Sequence, residues 1–211
     1  MVIDNRTREV LVYMGSADYS DKTYGGQVDG VKAVRQPGST LKPLIYGLAI
    51  DKGLLTPKTM LFDVPINYKG YRPENYDKTY SGYVSVEAAL ANSLNIPAVS
   101  VLEKLSVDTL VSILIKAGFK QIEKDKKDLG LSVSLGGCGV RLEELCGLYA
   151  AFANQGNYRP LITNKKERST DSTRILSEAA AFIVHEMLSV KERTDFPLAL
   201  KESAHLPRPI S

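Results

Sequence analysis

The strongest constraint on the fold is a pair of prolines at positions 37 and 43, because together they fix where a helix can begin. Pro37 and Gly38 disfavour an earlier start. Pro43 has no N–H to offer a carbonyl four residues back, so it is tolerated only near the first turn. Apolar residues then recur at the spacing of an amphipathic helix until Gly53, which suits the C′ position. The sequence therefore predicts a helix whose N-terminus lies at or beside Ser39.

This helix start carries a hydroxyl and an amine. Lys42 follows Ser39 by three residues, and residues three apart are neighbours on a helix, so the Lys42 amine can reach Ser39 Oγ. The helix N-terminus favours negative charge at the reacting oxygen, and a neutral lysine can accept the proton of the serine. A Ser-x-x-Lys sequence is common by chance, and the alternative is a capping serine followed by a solvated lysine.

Composition narrows the class of function. The 211 residues are 44% hydrophobic and 24% charged, and no apolar run is long enough to cross a bilayer, so we expect one soluble domain or most of one. The balance of 27 basic and 24 acidic residues is too even for a nucleic-acid-binding surface. Cys138 and Cys146 lie outside any metal-binding pattern. We interpret both cysteines as small buried side chains, and a disulfide between them stays open. The apolar stripes give no sign of a cofactor.

The order of the remaining elements predicts an α+β chain. Residues 2–13 alternate short apolar runs with a polar turn, which is typical of a β-hairpin. Residues 56–83 are rich in Pro, Tyr, Asn and Gly and are predicted as a long loop, either functional or a cover over the core. Ser85 can cap a further helix, and others are predicted from Pro97, over 108–117, around 142–153 with Tyr149 among its core positions, and around 180–188. A charged connector is predicted at 120–128 and a loop or short extended pieces at 131–140.

A second polar element, Ser93-Leu94-Asn95, lies in the predicted break between two helices. A serine there can relay a proton, and an asparagine can hold an amide. Acyl transfer through Ser39 needs both, because the leaving amine must be protonated and the peptide must be fixed against Oγ. The alternative is capping, since Asn95 is well placed to cap a helix that begins at Pro97.

Four segments, in this order, resemble the transpeptidase domain of penicillin-binding proteins, in particular the bifunctional class A type of subtype C. They are 35–43 (RQPGSTLKP), 72–77 (RPENYD), 88–99 (AALANSLNIPAV) and 135–140 (LGGCGV). The conjunction is specific where each motif alone is weak. The resemblance implies the α+β fold shared with serine β-lactamases, here a helical subdomain on an incomplete antiparallel sheet of which only the N-terminal hairpin is present.

The resemblance also implies an activity, that of a D,D-transpeptidase that cross-links peptidoglycan without metal or cofactor. By this likeness Ser39 attacks the penultimate D-Ala carbonyl of a stem peptide, Lys42 is the base, Ser93 relays a proton and Asn95 anchors the substrate. Penicillins and other β-lactams imitate D-Ala-D-Ala and acylate the same serine. The family further implies a location at the outer face of the bacterial cytoplasmic membrane, in the periplasm, as part of a membrane-anchored parent.

One departure from the family is the third motif, Lys-Thr/Ser-Gly, which the 211 residues do not contain. In the family it follows a stretch that resembles residues 198–208. We therefore expect residues 1–211 to form a partial transpeptidase domain without the C-terminal strands of its sheet. Loss of those strands would remove one oxyanion donor and the groups that hold the substrate carboxylate. Weak or no activity and self-association are the expected results.

Two other functions stay open at this point. A serine β-lactamase shares the first two motifs but needs a base for deacylation, for which Glu74 and Glu87 are candidates. A penicillin-sensing or interaction domain would keep the pocket without cross-linking. Turnover of penicillin would identify the first, and cross-linking of stem peptides would exclude the second.

Overall fold

The computed structural model describes residues 1–23, 25–164 and 171–189. In these ranges the helices are α1 (Lys42–Asp51), α2 (Val86–Ala91), α3 (Asn95–Leu105), α4 (Val107–Lys116), α5 (Lys120–Asp125), α6 (Leu142–Ala153) and α7 (Glu178–Leu188), with 3₁₀ turns at Gly38–Leu41 and Leu131–Leu135. The strands are β1 (Val2–Ile3), β2 (Val10–Val12), β3 (Met60–Asp63), β4 (Gly82–Ser85), β5 (Asn157–Tyr158) and β6 (Thr173–Arg174). They pair in sequence as three two-stranded antiparallel sheets. The predicted α+β class is confirmed.

The helix predicted from the two prolines is present and lies at the centre of the core. Gly38–Leu41 forms a 3₁₀ turn, α1 follows with Pro43 at its second position, and Gly53 has a left-handed φ of 68° just beyond the helix. The predicted amphipathic character is wrong, because residues 42–49 are all buried. Helix α3 packs on one part of α1 and α7 on another, so no face is left for solvent. A Cβ at Gly47 would lie 2.9 Å from Val184 Cγ2, which shows how closely α7 approaches.

The predicted loop at 56–83 is only partly correct, because β3 and β4 form a hairpin at its two ends. Burial alternates along β3, with Leu61 and Asp63 inward and Met60 and Phe62 outward. The outward Phe62 contacts Tyr83 of β4, with ring centroids 4.4 Å apart. Strands of four residues give too few alternations to stand out in a sequence rich in turn-forming residues.

Two smaller expectations also differ from the structure. Residues 120–125 form α5 and not a connector, because Ile122 is fully buried and anchors one face of this charged segment. Residues 131–135 form a 3₁₀ turn, while Val140 is extended and bridges Arg35. Cys138 and Cys146 are both free thiols, one buried and one half-buried, in agreement with the preferred interpretation.

The N-terminal hairpin is confirmed as β1 and β2 and is joined to the rest of the chain at its turn. Val10 N donates to Ile162 O at 3.0 Å, and Ile162 N donates to Arg8 O at 2.9 Å. The predicted cap at Ser85 is also present, since its hydroxyl accepts from Ala88 N at 3.3 Å at the start of α2. Across the described ranges, every helix is too short or too polar to span a membrane.

Candidate active site

Ser39 lies on the 3₁₀ turn Gly38–Leu41, called here the serine turn, directly before α1. This is the predicted position, at the start of the helix. The side chain is exposed, so an external substrate has access to its hydroxyl. Thr40 Oγ1 donates to Pro37 O at 2.9 Å and closes the turn from within. The turn therefore presents Ser39 outward from a helix that is itself buried.

Three contacts from distant parts of the chain hold the serine turn. Arg35 and Val140 exchange two backbone hydrogen bonds of 2.9 Å just before the turn. Tyr149 of α6 donates its hydroxyl to Thr40 O at 3.1 Å. At Gly136, where φ is 90°, an added Cβ would lie only 2.6 Å from Gly38 Cα, so this glycine allows a close backbone approach.

Lys42 is buried, with 1% of its surface exposed, so the alternative of a solvated lysine is wrong. Its Nζ donates to Ser93 O at 2.6 Å, to Asn95 Oδ1 at 2.7 Å and to Ser93 Oγ at 3.2 Å. Burial lowers the pKa of Lys42 from 10.5 to about 8. A substantial fraction of this amine is therefore neutral near physiological pH, as a general base requires.

Ser93, in the break between α2 and α3, and Asn95, the first residue of α3, both contact Lys42 Nζ. Ser93 is in the left-handed region with φ of 52°, and both its carbonyl and its hydroxyl face Lys42 Nζ. The capping role considered for Asn95 is wrong, because α3 begins at Asn95 itself, with Leu94 as N-cap. A proline is accepted anywhere in the first turn, so Pro97 does not mark the first helical residue. Asn95 instead links Lys42 to Glu74 O, to which its Nδ2 donates at 2.8 Å.

The structure adds two residues that had no predicted role in the site. Asn75, in the RPENYD segment, accepts a hydrogen bond from Asn95 N at 2.8 Å and donates to Asp63 Oδ1 at 2.8 Å. Tyr149, which holds the serine turn, was predicted only as a core position of α6. The resemblance at 72–77 was the available signal for Asn75. Nothing in sequence spacing reveals a partner twelve or twenty residues away.

Neither acid considered as a deacylating base has its carboxylate in this cluster. The Glu87 carboxylate pairs with Lys58, whose side chain is 80% exposed. The Glu74 side chain is exposed, and only its backbone oxygen contacts Asn95. The described ranges also contain no group of three His, Cys, Asp or Glu side chains that could hold a metal ion.

Comparison with known proteins settles the family. The model of the penicillin binding protein transpeptidase domain matches residues 1–201. This chain belongs to that family. It is 36% identical to penicillin-binding protein 1C of Escherichia coli (strain K12) over 189 residues, which is 90% of this chain and 24% of that protein. The predicted resemblance to a class A penicillin-binding protein of subtype C is confirmed.

Two other relatives are also similar to this chain over most of its length. The chain is 40% identical to penicillin-binding protein 1F of Bacillus subtilis (strain 168) over 74% of its length, and 34% identical to penicillin-binding protein 1A of Neisseria lactamica over 74%. It spans between 20% and 24% of the length of these three relatives.

Proposed function

We propose that this chain is the peptidoglycan D,D-transpeptidase domain of a penicillin-binding protein and that Ser39 forms its acyl-enzyme. One observation carries the proposal: the buried Lys42, whose pKa is lowered to about 8, follows the exposed Ser39 by one turn. The substrates are stem peptides ending in D-Ala-D-Ala, and β-lactams acylate the same serine. The family supports a location at the outer face of the bacterial cytoplasmic membrane, within a membrane-anchored parent.

Among the described residues Lys42 Nζ donates to Ser93 and Asn95, and no hydrogen bond joins it to Ser39 Oγ. The proposed acylation step therefore requires neutral Lys42 to turn its lone pair to Ser39 Oγ when substrate binds. Neutral Lys42 Nζ takes the proton of Ser39 Oγ while the oxygen forms a bond to the carbonyl carbon of the penultimate D-Ala. The carbon–nitrogen bond to the terminal D-Ala then breaks. Ser93 Oγ gives its proton to the leaving amine and regains one from Lys42, whose Nζ lies 3.2 Å away. Lysine ends this step neutral, and D-Ala departs.

The second half of the reaction uses the same groups in reverse order. The amine of a second stem peptide attacks the ester carbonyl, and its proton returns through Ser93 and Lys42 to Ser39 Oγ as the ester bond breaks. Asn95 is assigned to substrate binding. Its Oδ1 is occupied by Lys42 and one Nδ2 proton by Glu74 O, which leaves one Nδ2 proton for a peptide carbonyl.

The chain lacks the Lys-Thr/Ser-Gly motif, so activity is best tested in two forms. We use the 211-residue chain and an extended protein, in which this chain is followed by a segment that carries the motif. Incubation of the extended protein with a penicillin should give one covalent adduct by intact-mass analysis. Ser39→Ala should remove it. Ser112→Ala is the matched control, since Ser112 Oγ only donates to Thr109 O within α4.

Three outcomes would contradict the proposal. An adduct that persists in Ser39→Ala would place the nucleophile elsewhere. Rapid release of hydrolysed penicillin would identify a β-lactamase. Acylation without cross-linking of stem peptides would favour a penicillin-sensing domain.

A further inference from the structure

A chain of hydrogen bonds connects the site to the interior of the β3–β4 hairpin. Asp63, at the end of β3, is fully buried, and its Oδ1 accepts from Asn75 Nδ2 at 2.8 Å. Asn75 is 4% exposed and accepts through Oδ1 from Asn95 N at 2.8 Å. Asn95 Oδ1 in turn accepts from Lys42 Nζ at 2.7 Å. Three hydrogen bonds thus separate the buried carboxylate from the proposed base.

The geometry around Asn75 leaves little freedom for its side chain. One Nδ2 proton goes to Asp63 Oδ1 and the other to Thr79 O at 2.9 Å, and Oδ1 receives Asn95 N. Asp63 is held as firmly, because its Oδ2 accepts from Ser81 N at 2.8 Å. A buried carboxylate is tolerated when such donors surround it. The amide of Asn75 is therefore fixed at both ends.

Asn95 depends on Asn75 because of its place in the helix. As the first residue of α3, Asn95 has a backbone N–H with no acceptor inside the helix. Asn75 Oδ1 supplies that acceptor. The neighbouring Glu74 O accepts from Asn95 Nδ2 at 2.8 Å, so two consecutive residues hydrogen-bond to the backbone and the side chain of Asn95. These two hydrogen bonds hold Asn95 Oδ1 at its position beside Lys42 Nζ.

We propose that Asn75 is a positioning residue for acyl transfer, which fixes Asn95 and through it Lys42, with Asp63 as its buried support. The inference rests on the proposed function and assigns a role to the RPENYD segment. It makes Asn75 act at a distance from the reacting atoms, through one backbone N–H. Removing the Asn75 amide should loosen the start of α3 and misplace the amine, without removing any group that touches substrate.

The first test measures the hydrogen bond from Asn95 N to Asn75 in the 211-residue chain and needs no catalytic activity. In Asn75→Ala the Asn95 amide proton should exchange with solvent at least about tenfold faster, since its acceptor is gone. The matched control is Asn67→Ala, at an exposed position between β3 and β4, where Asn67 Oδ1 accepts from Gly70 N. Unchanged exchange at Asn95 in Asn75→Ala would overturn the proposal.

The second test measures penicillin acylation in the extended protein. Asn75→Ala should slow the acylation rate constant by on the order of tenfold to a hundredfold, as expected for a misplaced reacting group. Asn67→Ala should leave it unchanged. In an Asn95→Ala background, Asn75→Ala should add less than about twofold, because the two act through one contact. A loss of stability alone would lower the final amount of adduct and leave the rate constant unchanged, and that result would overturn the proposal.

A reciprocal exchange covers the case in which Asn75→Ala fails to fold. Asn75→Asp alone places two carboxylates side by side and should slow acylation. Asn75→Asp combined with Asp63→Asn restores the hydrogen bond between the two positions but leaves Thr79 O without its donor, so it should recover part of the loss, by at least about threefold in rate constant over Asn75→Asp alone. No recovery in a folded double variant would contradict the role of this pair. If the unsubstituted extended protein is not acylated at all, the proposed function fails. The hydrogen exchange of the Asn95 amide in the 211-residue chain then decides the role of Asn75.

Discussion

Lys42 gains its chemical role from where its amine lies. Three oxygens accept from Nζ, and each favours the ammonium form, yet burial outweighs them and lowers the pKa to about 8. The hydrogen bonds fix the position of the amine, while desolvation favours its neutral form, which has a lone pair. Desolvation without these hydrogen bonds would lower the pKa of Lys42 further and would leave the amine without a fixed direction.

The pH dependence of acylation tests this balance. Only neutral Lys42 accepts a proton, so the acylation rate should rise with pH and level off above the pKa of about 8. Below that value the neutral fraction, and the rate, should fall about tenfold per pH unit. Penicillin acylation of the extended protein between pH 5 and pH 10 gives the profile. A flat profile across this range would remove Lys42 as the base.

Lys42→Arg should abolish acylation in the same assay, because a guanidinium stays protonated at any working pH. The matched control is Lys104→Arg, at an exposed position near the end of α3. Near-parental acylation in Lys42→Arg would show that another group takes the proton.

Substitutions of Ser93 and Asn95 should have different effects on penicillin binding and on acylation. Ser93→Ala should slow acylation more than it weakens penicillin binding, since a relay acts only in the transition state. Asn95→Ala should harm both, because Asn95 contacts the bound substrate and also Lys42. Separate determination of the binding constant and the acylation rate constant distinguishes them. If Ser93→Ala changed the affinity alone, Ser93 would be a binding residue and not a relay.

Among the elements, the second 3₁₀ turn matters because Gly136 at its end packs against the serine turn. Gly136→Ala adds a methyl group 2.6 Å from Gly38 Cα, at a φ of 90° that side chains disfavour. We expect a loss of stability of about 1 to 3 kcal/mol from overpacking, together with slower acylation as Ser39 moves. Gly130→Ala is the control, since nothing lies within 4 Å of its added Cβ. Thermal melting and acylation of both variants should show the difference.

These elements could be predicted from the sequence where the residues that determine them are close along the chain. The start of α1 was predictable because proline geometry acts within one turn. The first residue of α3 was not, because Pro97 is compatible with several starts and the backbone N–H of Asn95 is bound by Asn75, twenty residues earlier. The one-turn spacing of Ser39 and Lys42 could be read from the sequence, while the burial that lowers the lysine pKa comes from packing by other helices.

At the scale of the whole molecule, the outer surface of the N-terminal hairpin is unusually apolar. Leu11 and Met14 are 61% and 65% exposed, and Val2 and Val12 are about half exposed. Exposed apolar side chains that cluster on one surface favour association with another molecule. This surface supports the expectation that the 211-residue chain self-associates.

The 211-residue chain should therefore behave differently from the extended protein. We expect oligomers in sedimentation, and penicillin acylation at least about a hundredfold slower, since one missing oxyanion donor costs about 10² to 10³ in rate. Measuring both proteins side by side separates the two effects. A monodisperse 211-residue monomer that is acylated as fast as the extended protein would show that the third motif is dispensable.

The pairing of Arg35 with Val140 has a consequence for how the protein is made. A ribosome synthesises Val140 and Gly136 about a hundred residues after Ser39 and Lys42. Contacts between such distant segments form slowly and only once both are available. A chain that has not yet folded back at residues near 140 should thus carry its nucleophile without being able to use it. Penicillin would find no target until residues near 140 are present and folded against the serine turn.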